Sequence, residues 1–465
     1  MSISVSHLAA AIAALAQAQP QAVPSELPRP VQAPLDIDTA SDPILQLARG
    51  SVSPAEFVAL VQRAVERNPG VDEVAAGIAE AEAAEDEARS GLYPVVDLSV
   101  DSNRTISREF ESSGVFDDLI ERSRPEGRTD ATVRVQQTLF DFGATTARIA
   151  AAGARLRAAS NRAEAAADET ALRAIAAWYD VFAYRALVTL GLAFSENQGE
   201  LREAVRTRIS QGVSAEGDLP RVESYIASSE ADLARYRRLL ANAEARFEEM
   251  FGVPPPADLG RAPGPNGPFI SKDMAQALAR VIPEVESANA IARATRQEAR
   301  AQKADELPRV SAAIDAGKYG VREIDYDVRG RVVVNYRLFG GGEARTHQAE
   351  ARADAADARA VRIRTEAERD AAVAWADVQA LQQQLAALQN SYIASRQSRD
   401  VLAERFRVAR GTLFDLLESE SAYFNVAASY IRAVTELDAA RYVLLSRTGQ
   451  LLDTLSIAPP VLETK

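Results

Sequence analysis

Residues 139–143 read Leu-Phe-Asp-Phe-Gly, and residues 338–342 read Leu-Phe-Gly-Gly-Gly. Each segment follows a stretch in which apolar and polar residues alternate. Each precedes an alanine-rich span without proline. Alternation is typical of a β-strand, whereas a long alanine-rich span favours a helix. The sequence therefore predicts that a strand gives way to a helix at the same kind of turn in two places.

These two turns belong to a duplicated unit. The two tryptophans of the chain, Trp178 and Trp375, occupy matching positions in the two halves. Further matches in the same order are Pro69 and Pro94 with Pro283 and Pro308, Asp218 with Asp415, and Gly252 with Gly449. Matches that keep one order over two hundred residues predict a tandem repeat. The first half has the longer connection between its strands, at residues 109–127.

Proline and glycine clusters predict the domain boundaries. The ranges are a signal-like segment and proline-rich leader (1–54), a first repeat (55–252), a linker (253–270), a second repeat (271–457) and a tail (458–465). The leader contains the apolar run 8–15, and Ala16-Gln17-Ala18 resembles a signal-peptide cleavage site without a clear positive n-region. A disordered alanine-rich start is the alternative.

Each repeat combines two strands with a helical hairpin. Period-two alternation predicts strands at 95–101, 131–136, 312–316 and 332–338, the second pair being joined by residues 320–330. Residues 144–211 predict a helix about 100 Å long. A coiled-coil seam follows in the second half, and breaks at 212–220 and 409–412 fold each helix back as a hairpin. The seam residues are Val378, Leu381, Leu385, Leu388 and Tyr392.

Composition excludes several function classes. The 465-residue chain has a net charge of -13, which argues against a nucleic-acid partner. It has no cysteine, so disulfides, thiolate metal sites, a cysteine nucleophile and a lipidated cysteine are excluded. His7 and His347 are too few for histidine-based catalysis. The glycines at 340–342 lack the Lys-Ser/Thr of a phosphate loop. We expect no enzyme activity, no metal and no cofactor, and we expect both tryptophans to pack helices together.

The strands point to a membrane. No uninterrupted stretch reaches the roughly 18 to 20 apolar residues of a transmembrane helix, but a β-barrel spans a membrane with short alternating strands. Two or four strands alone leave open edges, and barrels begin at eight strands. Three chains with four strands each would supply twelve strands. If the strands lie in a membrane, this count predicts a symmetric homotrimer.

The order of these features resembles the TolC family of outer-membrane efflux proteins. The residues that carry the resemblance are Leu-Tyr-Pro at 92–94, Gln-Thr-Leu-Phe-Asp-Phe-Gly at 137–143, Tyr-Arg-Leu-Phe-Gly-Gly-Gly at 336–342 and Asp-Leu-Leu-Glu-Ser-Glu at 415–420. The similarity covers about residues 55–455. It implies a mainly α-helical fold with a β-barrel part, in which a trimer forms a twelve-stranded barrel on a helical periplasmic tunnel. It also implies an inner-membrane pump and a periplasmic adaptor as partners.

The resemblance assigns a tunnel aperture to the two helical turns. Asp415 and Glu418 match the family's inward acidic positions, Asp218 matches an aspartate that ties the tip closed, and Phe406 falls where the family can carry a tyrosine. Gly411 falls where some members have a latch arginine, so Arg407 or Arg410 would have to replace it. Stacked carboxylate rings would attract cations. A simpler role for Asp415 and Glu418 is stabilisation of a helix N-terminus.

Three functions remain open at this point. The resemblance implies an export channel that serves either type I secretion of a polypeptide or efflux of small molecules. The absence of a cysteine that could carry a lipid anchor slightly favours type I secretion. A soluble coiled-coil scaffold is the alternative from another class, although it leaves the four alternating strands unexplained.

Overall fold

The computed structural model describes residues 37–107, 109, 127–265, 270–320 and 325–458. The predicted signal segment, most of the leader, the first strand connection and most of the tail lie outside these residues. The described residues form ten helices and four strands. In chain order they are α1 (Pro43–Gln46), α2 (Pro54–Glu66), α3 (Pro69–Ser90), β1 (Val95–Arg104), β2 (Gly127–Phe140), α4 (Ala144–Ser210), α5 (Asp218–Phe251), α6 (Lys272–Ala279), α7 (Pro283–Asp305), β3 (Arg309–Gly320), β4 (Asp325–Asn335), α8 (Gly342–Arg407), α9 (Leu413–Arg447) and α10 (Leu451–Thr454).

The four strands form one antiparallel sheet in the order β1-β2-β3-β4. All four predicted strands are present, but two boundaries were wrong. Residues 325–330 belong to β4 rather than to a connection, and β4 ends at Asn335, before the predicted end at Leu338. The glycine at position 330 inside β4 suggested a turn, yet Gly330 pairs with Ile314 in regular register. Strand pairing overrides local composition here.

The long helices end where left-handed backbone conformations are required. α4 has 67 residues and α8 has 66, and neither contains proline. α4 ends before Gly212, which has a φ of 69°. The corresponding position after α8 is Ala409, with a φ of 57°. A residue with positive φ stops the helical hydrogen-bond pattern, so each helix folds back into its hairpin partner, α5 or α9.

Positive φ angles recur at matching positions of the two halves. Gly252 and Gly449 follow α5 and α9 with φ angles of 69° and 70°. Phe142 and Gly341 occupy matching positions in the two strand-to-helix turns, with φ angles of 52° and 75°. A side chain at Gly342 would also collide with the Glu306 carboxylate. The triple glycine is therefore explained by backbone geometry, as predicted for a strand-to-helix turn.

The chain divides into two compact units that cut across the repeats. The first comprises residues 1–74, 163–285 and 364–465, and the second comprises 75–162 and 286–363. The first unit holds the main core, in which the Trp178 ring contacts Phe57, Phe247 and Phe251. The second unit holds the sheet and alanine-lined helix contacts such as Ala288, Ala292 and Ala360. The repeat boundaries given above stay a prediction.

Both tryptophans bind the segment between the repeats. Trp178 Nε1 donates a hydrogen bond to the Gly260 carbonyl oxygen at 2.9 Å, and Trp375 Nε1 donates to the Ile270 carbonyl oxygen at 2.8 Å. Arg261 joins the same region to the N-terminal segment, because its guanidinium donates to the Ala48 carbonyl oxygen and pairs with Asp438. The tryptophans therefore have the structural role expected of them.

One described helix passes a composition test for a membrane span. α4 contains an 18-residue window that is long and apolar enough, and most of that window is buried inside the protein. A core helix passes the same test, so this is weak evidence for a span.

Candidate functional site: the helical turns and the two sheet faces

The α8–α9 turn is tightly constrained. Thr412 caps α9, since its Oγ1 accepts a hydrogen bond from the Asp415 backbone N–H at 3.1 Å. A Cβ atom at Gly411 would come within 3.1 Å of the Phe406 backbone nitrogen and 3.2 Å of the Arg405 carbonyl carbon. A larger side chain at position 411 would therefore require the backbone to shift. The local backbone geometry therefore favours glycine at position 411.

The predicted acidic residues lie at the start of the second hairpin's return helix. Asp415 is in the first turn of α9, and Glu418 follows three residues later on the same face. Both side chains are exposed, and neither has an ion pair among the residues that the structure describes. Asp218 lies in the first turn of α5 and is half-buried. The two turns thus present carboxylates close to helix N-termini.

Phe406 has a partner that the sequence did not reveal. Its side chain is 7% exposed, and the Arg208 guanidinium lies over its ring at 4.3 Å from the centroid. Arg208 Nη1 also donates to the Phe406 carbonyl oxygen at 2.8 Å. This contact joins α4 of the first hairpin to α8 of the second. The two residues are 198 positions apart, and an arginine near the end of a helix gave no sign of the pairing.

The two candidate latch arginines differ in their surroundings. Arg407 forms a two-pronged ion pair with Glu404 at 2.7 and 2.8 Å. This pairing lowers the pKa of the Glu404 carboxyl. Arg410 is exposed and has no ion pair within the described chain. In a single chain neither arginine binds Asp218, so the latch stays a prediction.

A small apolar cluster supports both turns. It combines residues of all four hairpin helices and is separate from the main core. The buried members are Val205, Val222, Phe406, Leu413, Leu416 and Leu417. Because side chains from both hairpins share this cluster, the positions of the two turns are coupled by hydrophobic contact.

A buried network of charged and phenolic groups lies further along the second hairpin. Asp42, which caps α1, forms a buried ion pair with Arg396 and accepts a hydrogen bond from the Tyr392 hydroxyl at 2.9 Å. Arg399 and Asp400 form a second pair at 2.6 Å with side chains 0% exposed. Charged residues on a helix usually face solvent, but all four of these charged residues are buried.

Glu420 extends this network from α9. Its residue is 8% exposed, and its Oε2 atom has no hydrogen-bond partner among the described residues. Burial raises the pKa of the Glu420 carboxyl, Arg399 opposes this rise, and Asp400 adds to it. Burial also raises the pKa of the neighbouring Tyr423 hydroxyl to about 12. The network therefore contains a carboxyl group that binds a proton more readily than an exposed glutamate does.

One sheet face carries rows of alternating charge. The register places Asp97, Arg134, Asp315 and Arg329 side by side on β1 to β4. Arg134 pairs with Asp315 at 2.6 Å, and Arg331 pairs with the same carboxylate at 3.1 Å. We name this the polar face. Its remaining described charges are Asp101, Arg128, Asp130, Arg309, Asp327 and Arg331.

The opposite face is exposed and mainly apolar, and its described charged residues are Arg104 and Lys318, which lie toward the strand ends away from the helices. One of its rows is Leu98, Val133, Ala316 and Val328. Leu98 is 73% exposed and Val332 is 68% exposed in the single chain. Exposed aromatic residues lie next to the strand ends that join the helices, namely Tyr93, Phe140, Phe142, Tyr336 and Phe339. An apolar face bordered by aromatic residues is the pattern of a lipid-facing barrel wall.

A tandem of β-hairpins and long helical hairpins, with one lipid-compatible sheet face, defines a class of outer-membrane channel protomers. The sequence model of this class, described as outer membrane efflux protein, matches residues 60–253. The outer membrane efflux protein BepC from Brucella suis biovar 1 (strain 1330) is 25% identical over 343 residues, covering 70% of this chain and 73% of BepC.

Solved structures share the fold over most of the chain. The outer membrane protein VceC from Vibrio cholerae has a TM-score of 0.75 at 18% identity, covering 85% of this chain and 96% of VceC. The outer-membrane channel OprN has a TM-score of 0.76 at 20% identity, covering 92% and 97%. The chain thus resembles the outer membrane efflux protein family in sequence over residues 60–253 and in fold over most of its length. Its location is the outer membrane, with a helical tunnel in the periplasm. The proteins of this family are channels and not enzymes.

Proposed function

We propose that the chain is the outer-membrane channel of a tripartite export system and receives substrate from an inner-membrane pump and a periplasmic adaptor. The observation that most directly supports this proposal is the structure of the sheet. Its apolar face is exposed, its polar face is paired by charge, and β1 and β4 each have one open edge in the chain. A membrane offers no water to satisfy open edges, so further copies must close the sheet. Three copies give twelve strands and a homotrimer.

The aperture of this channel is proposed at the two helical turns. Asp415 and Glu418 from three copies would form stacked carboxylate rings that attract cations and repel anions. Their exposure and their position on the capped start of α9 support this role. Asp218 and Phe406 belong to the same aperture. Arg410 is better placed than Arg407 to act as the latch, because Arg407 is already paired with Glu404.

Two substrate classes fit an export channel. The family description and the BepC relative both refer to efflux, which supports small molecules. Type I secretion of a polypeptide is the second substrate class that an export channel of this kind can serve. Deleting the gene separates the two cases. Increased sensitivity to dyes and detergents supports efflux, whereas loss of one large extracellular polypeptide with unchanged sensitivity supports type I secretion.

Membrane fractionation combined with crosslinking tests the channel itself. We expect the protein in the outer-membrane fraction, as a heat-modifiable species of about three times the 50.0 kDa chain mass. A soluble monomer would overturn the proposal and favour a coiled-coil scaffold. The same preparation reconstituted in planar bilayers is expected to give discrete conductance steps.

A further inference from the structure

The two open edges of the sheet differ in charge on the polar face. β1 carries Asp97 and Asp101 there, and neither has an ion pair within the described residues. β4 carries Arg329 and Arg331 together with Asp327. Arg329 is bonded to Asp327, and Arg331 is bonded to Asp315 at 3.1 Å. One edge therefore offers unpaired carboxylates, and the other offers guanidinium groups.

The two edges also have compatible directions. Each neighbouring pair of strands is antiparallel, so β1 and β4 run in opposite directions. β4 of one copy can therefore extend the ladder to β1 of a second copy without changing its antiparallel pattern. A second copy of this chain fits the open edge in direction and in charge.

Barrel geometry sets the stagger between the copies. Strands tilted by about 40° and about 4.8 Å apart shift by about 4 Å per strand, which is about 16 Å over four strands. This equals roughly five residues, and an even number of four or six keeps the two sheet faces separate. A stagger of four places Asp101 opposite Arg329, and a stagger of six places Asp101 opposite Arg331. A stagger of four or six residues in the opposite direction would place Arg329 and Arg331 opposite residues that precede Val95, where β1 begins.

We propose that β4 of one copy pairs with β1 of the next in a staggered register that brings Asp101 against the Arg329–Arg331 pair. This proposal rests on the trimeric channel proposed above and adds the residues that align its copies. The attraction between these groups favours a stagger of four or six residues over registers in which Asp101 faces no arginine. Charge complementarity thus limits each junction to these two staggers.

Engineered cysteines test the register directly, because the chain has no cysteine of its own. The variants are D101C/R329C and D101C/R331C, oxidised in isolated outer membranes. Within one chain β1 and β4 are separated by two strands, about 14 Å, whereas a disulfide requires Cα atoms within about 7 Å. Every disulfide therefore joins two copies. We expect one of these variants to form a covalent trimer on a denaturing, non-reducing gel.

The controls are the single variants D101C and R329C, which are expected to form no crosslinked trimer, and the pair D97C/R329C, which reports zero stagger. Crosslinking of D97C/R329C alone would overturn the staggered register. An intact, uncrosslinked trimer in all pairs would overturn edge pairing at these residues and leave the channel proposal standing. A soluble monomer would instead overturn the channel.

A charge exchange supplies a readout without cysteine. D101R is expected to lower the yield of heat-stable trimer severalfold, and D101R/R329D/R331D is expected to restore most of it. Equal trimer yields in wild type, D101R and the triple variant would show that these charges do not align the copies.

Discussion

Trp178 and Trp375 make the same hydrogen bond in different surroundings. Trp178 is 2% exposed and has three aromatic neighbours, whereas Trp375 is only partly buried and contacts a small alanine cluster. The indole N–H of each reaches a carbonyl oxygen of the segment between the repeats. We expect the more buried hydrogen bond to contribute more to stability. A buried carbonyl oxygen that loses its donor cannot form a replacement hydrogen bond with water.

Trp178→Phe is therefore expected to destabilise the protein more than Trp375→Phe. Loss of the donor to the Gly260 carbonyl costs about 1–3 kcal/mol, whereas the Ile270 carbonyl regains part of its bond from solvent. Thermal denaturation followed by circular dichroism in detergent measures both changes. Equal shifts in Tm for the two variants would contradict a burial-dependent role.

Asp415 and Glu418 are the residues on which the proposed aperture depends. Asp415→Ala and Glu418→Ala are expected to weaken block by divalent cations about tenfold, equivalent to about 1.4 kcal/mol per ring. Single-channel conductance in planar bilayers, recorded over a series of divalent cation concentrations, measures the strength of the block. Glu216→Ala is the matched control, because Glu216 is an exposed carboxylate in the α4–α5 turn. Unchanged block in both ring variants would reduce their role to capping of the α9 N-terminus.

At the scale of elements, α8 and α9 are joined by buried polar groups as well as by apolar contacts. Arg396, Arg399 and Asp400 on α8 are each less than 10% exposed, and Glu420 projects from α9 into the same region. Asp42 ties the short N-terminal helix α1 to this hairpin. Removing one partner from such a pair leaves an uncompensated charge, which makes the contact specific.

Glu420 gives this network a pH dependence. The folded-state pKa of its carboxyl lies above the usual value of 4.5, so proton binding stabilises the folded hairpin. This contribution is complete below pH 4.5 and is lost as the pH rises through the raised pKa. The Tm of Glu420→Gln is therefore expected to fall less than that of wild type between pH 4.5 and pH 8. Glu418→Gln, an exposed neighbour, is the control and should follow wild type.

The alternation of residues was sufficient to find the strands, and proline-free spans were sufficient to find the long helices. Sequence spacing did not predict the Arg208–Phe406 contact or the burial of Arg399 and Asp400. An i,i+4 pattern of charges looks the same on a solvated helix and on a helix that faces a second hairpin. Only the approach of α4 and α9 to α8 decides between them, and that approach depends on residues almost two hundred positions away.

For the whole molecule, the difference between the two sheet faces decides whether the chain can enter a membrane. Leu98 and Ser99 are neighbours on β1 with side chains on opposite faces. Leu98→Arg places a charge among lipid tails at a cost of about 2–4 kcal/mol near the bilayer centre, whereas Ser99→Arg adds a charge to the polar face. We expect Leu98→Arg to lower the amount of assembled protein in the outer membrane and Ser99→Arg to leave it nearly unchanged.

Quantitative immunoblotting of outer-membrane fractions measures the amount of each variant that reaches the membrane, and heat-modifiability is a second readout of assembly. The two variants add the same side chain at adjacent positions, so a general effect of arginine on expression would reduce both. Equal loss in both variants would contradict the assignment of the faces. The comparison tests the orientation of the sheet without requiring any knowledge of the exported substrate.

The alternating row of Asp97, Arg134, Asp315 and Arg329 has an electrical consequence for the assembled trimer. Repeated in three staggered copies, it forms a belt of three rows with four charges each, in which neighbouring charges of a row have opposite sign. The potential of such a belt falls away within a distance comparable to the spacing of its charges, because each positive group is cancelled by the negative groups beside it. A solute on the barrel axis would meet almost no net field there. Discrimination by charge would then depend on the proposed rings of Asp415 and Glu418, in which no cations are interleaved between the carboxylates.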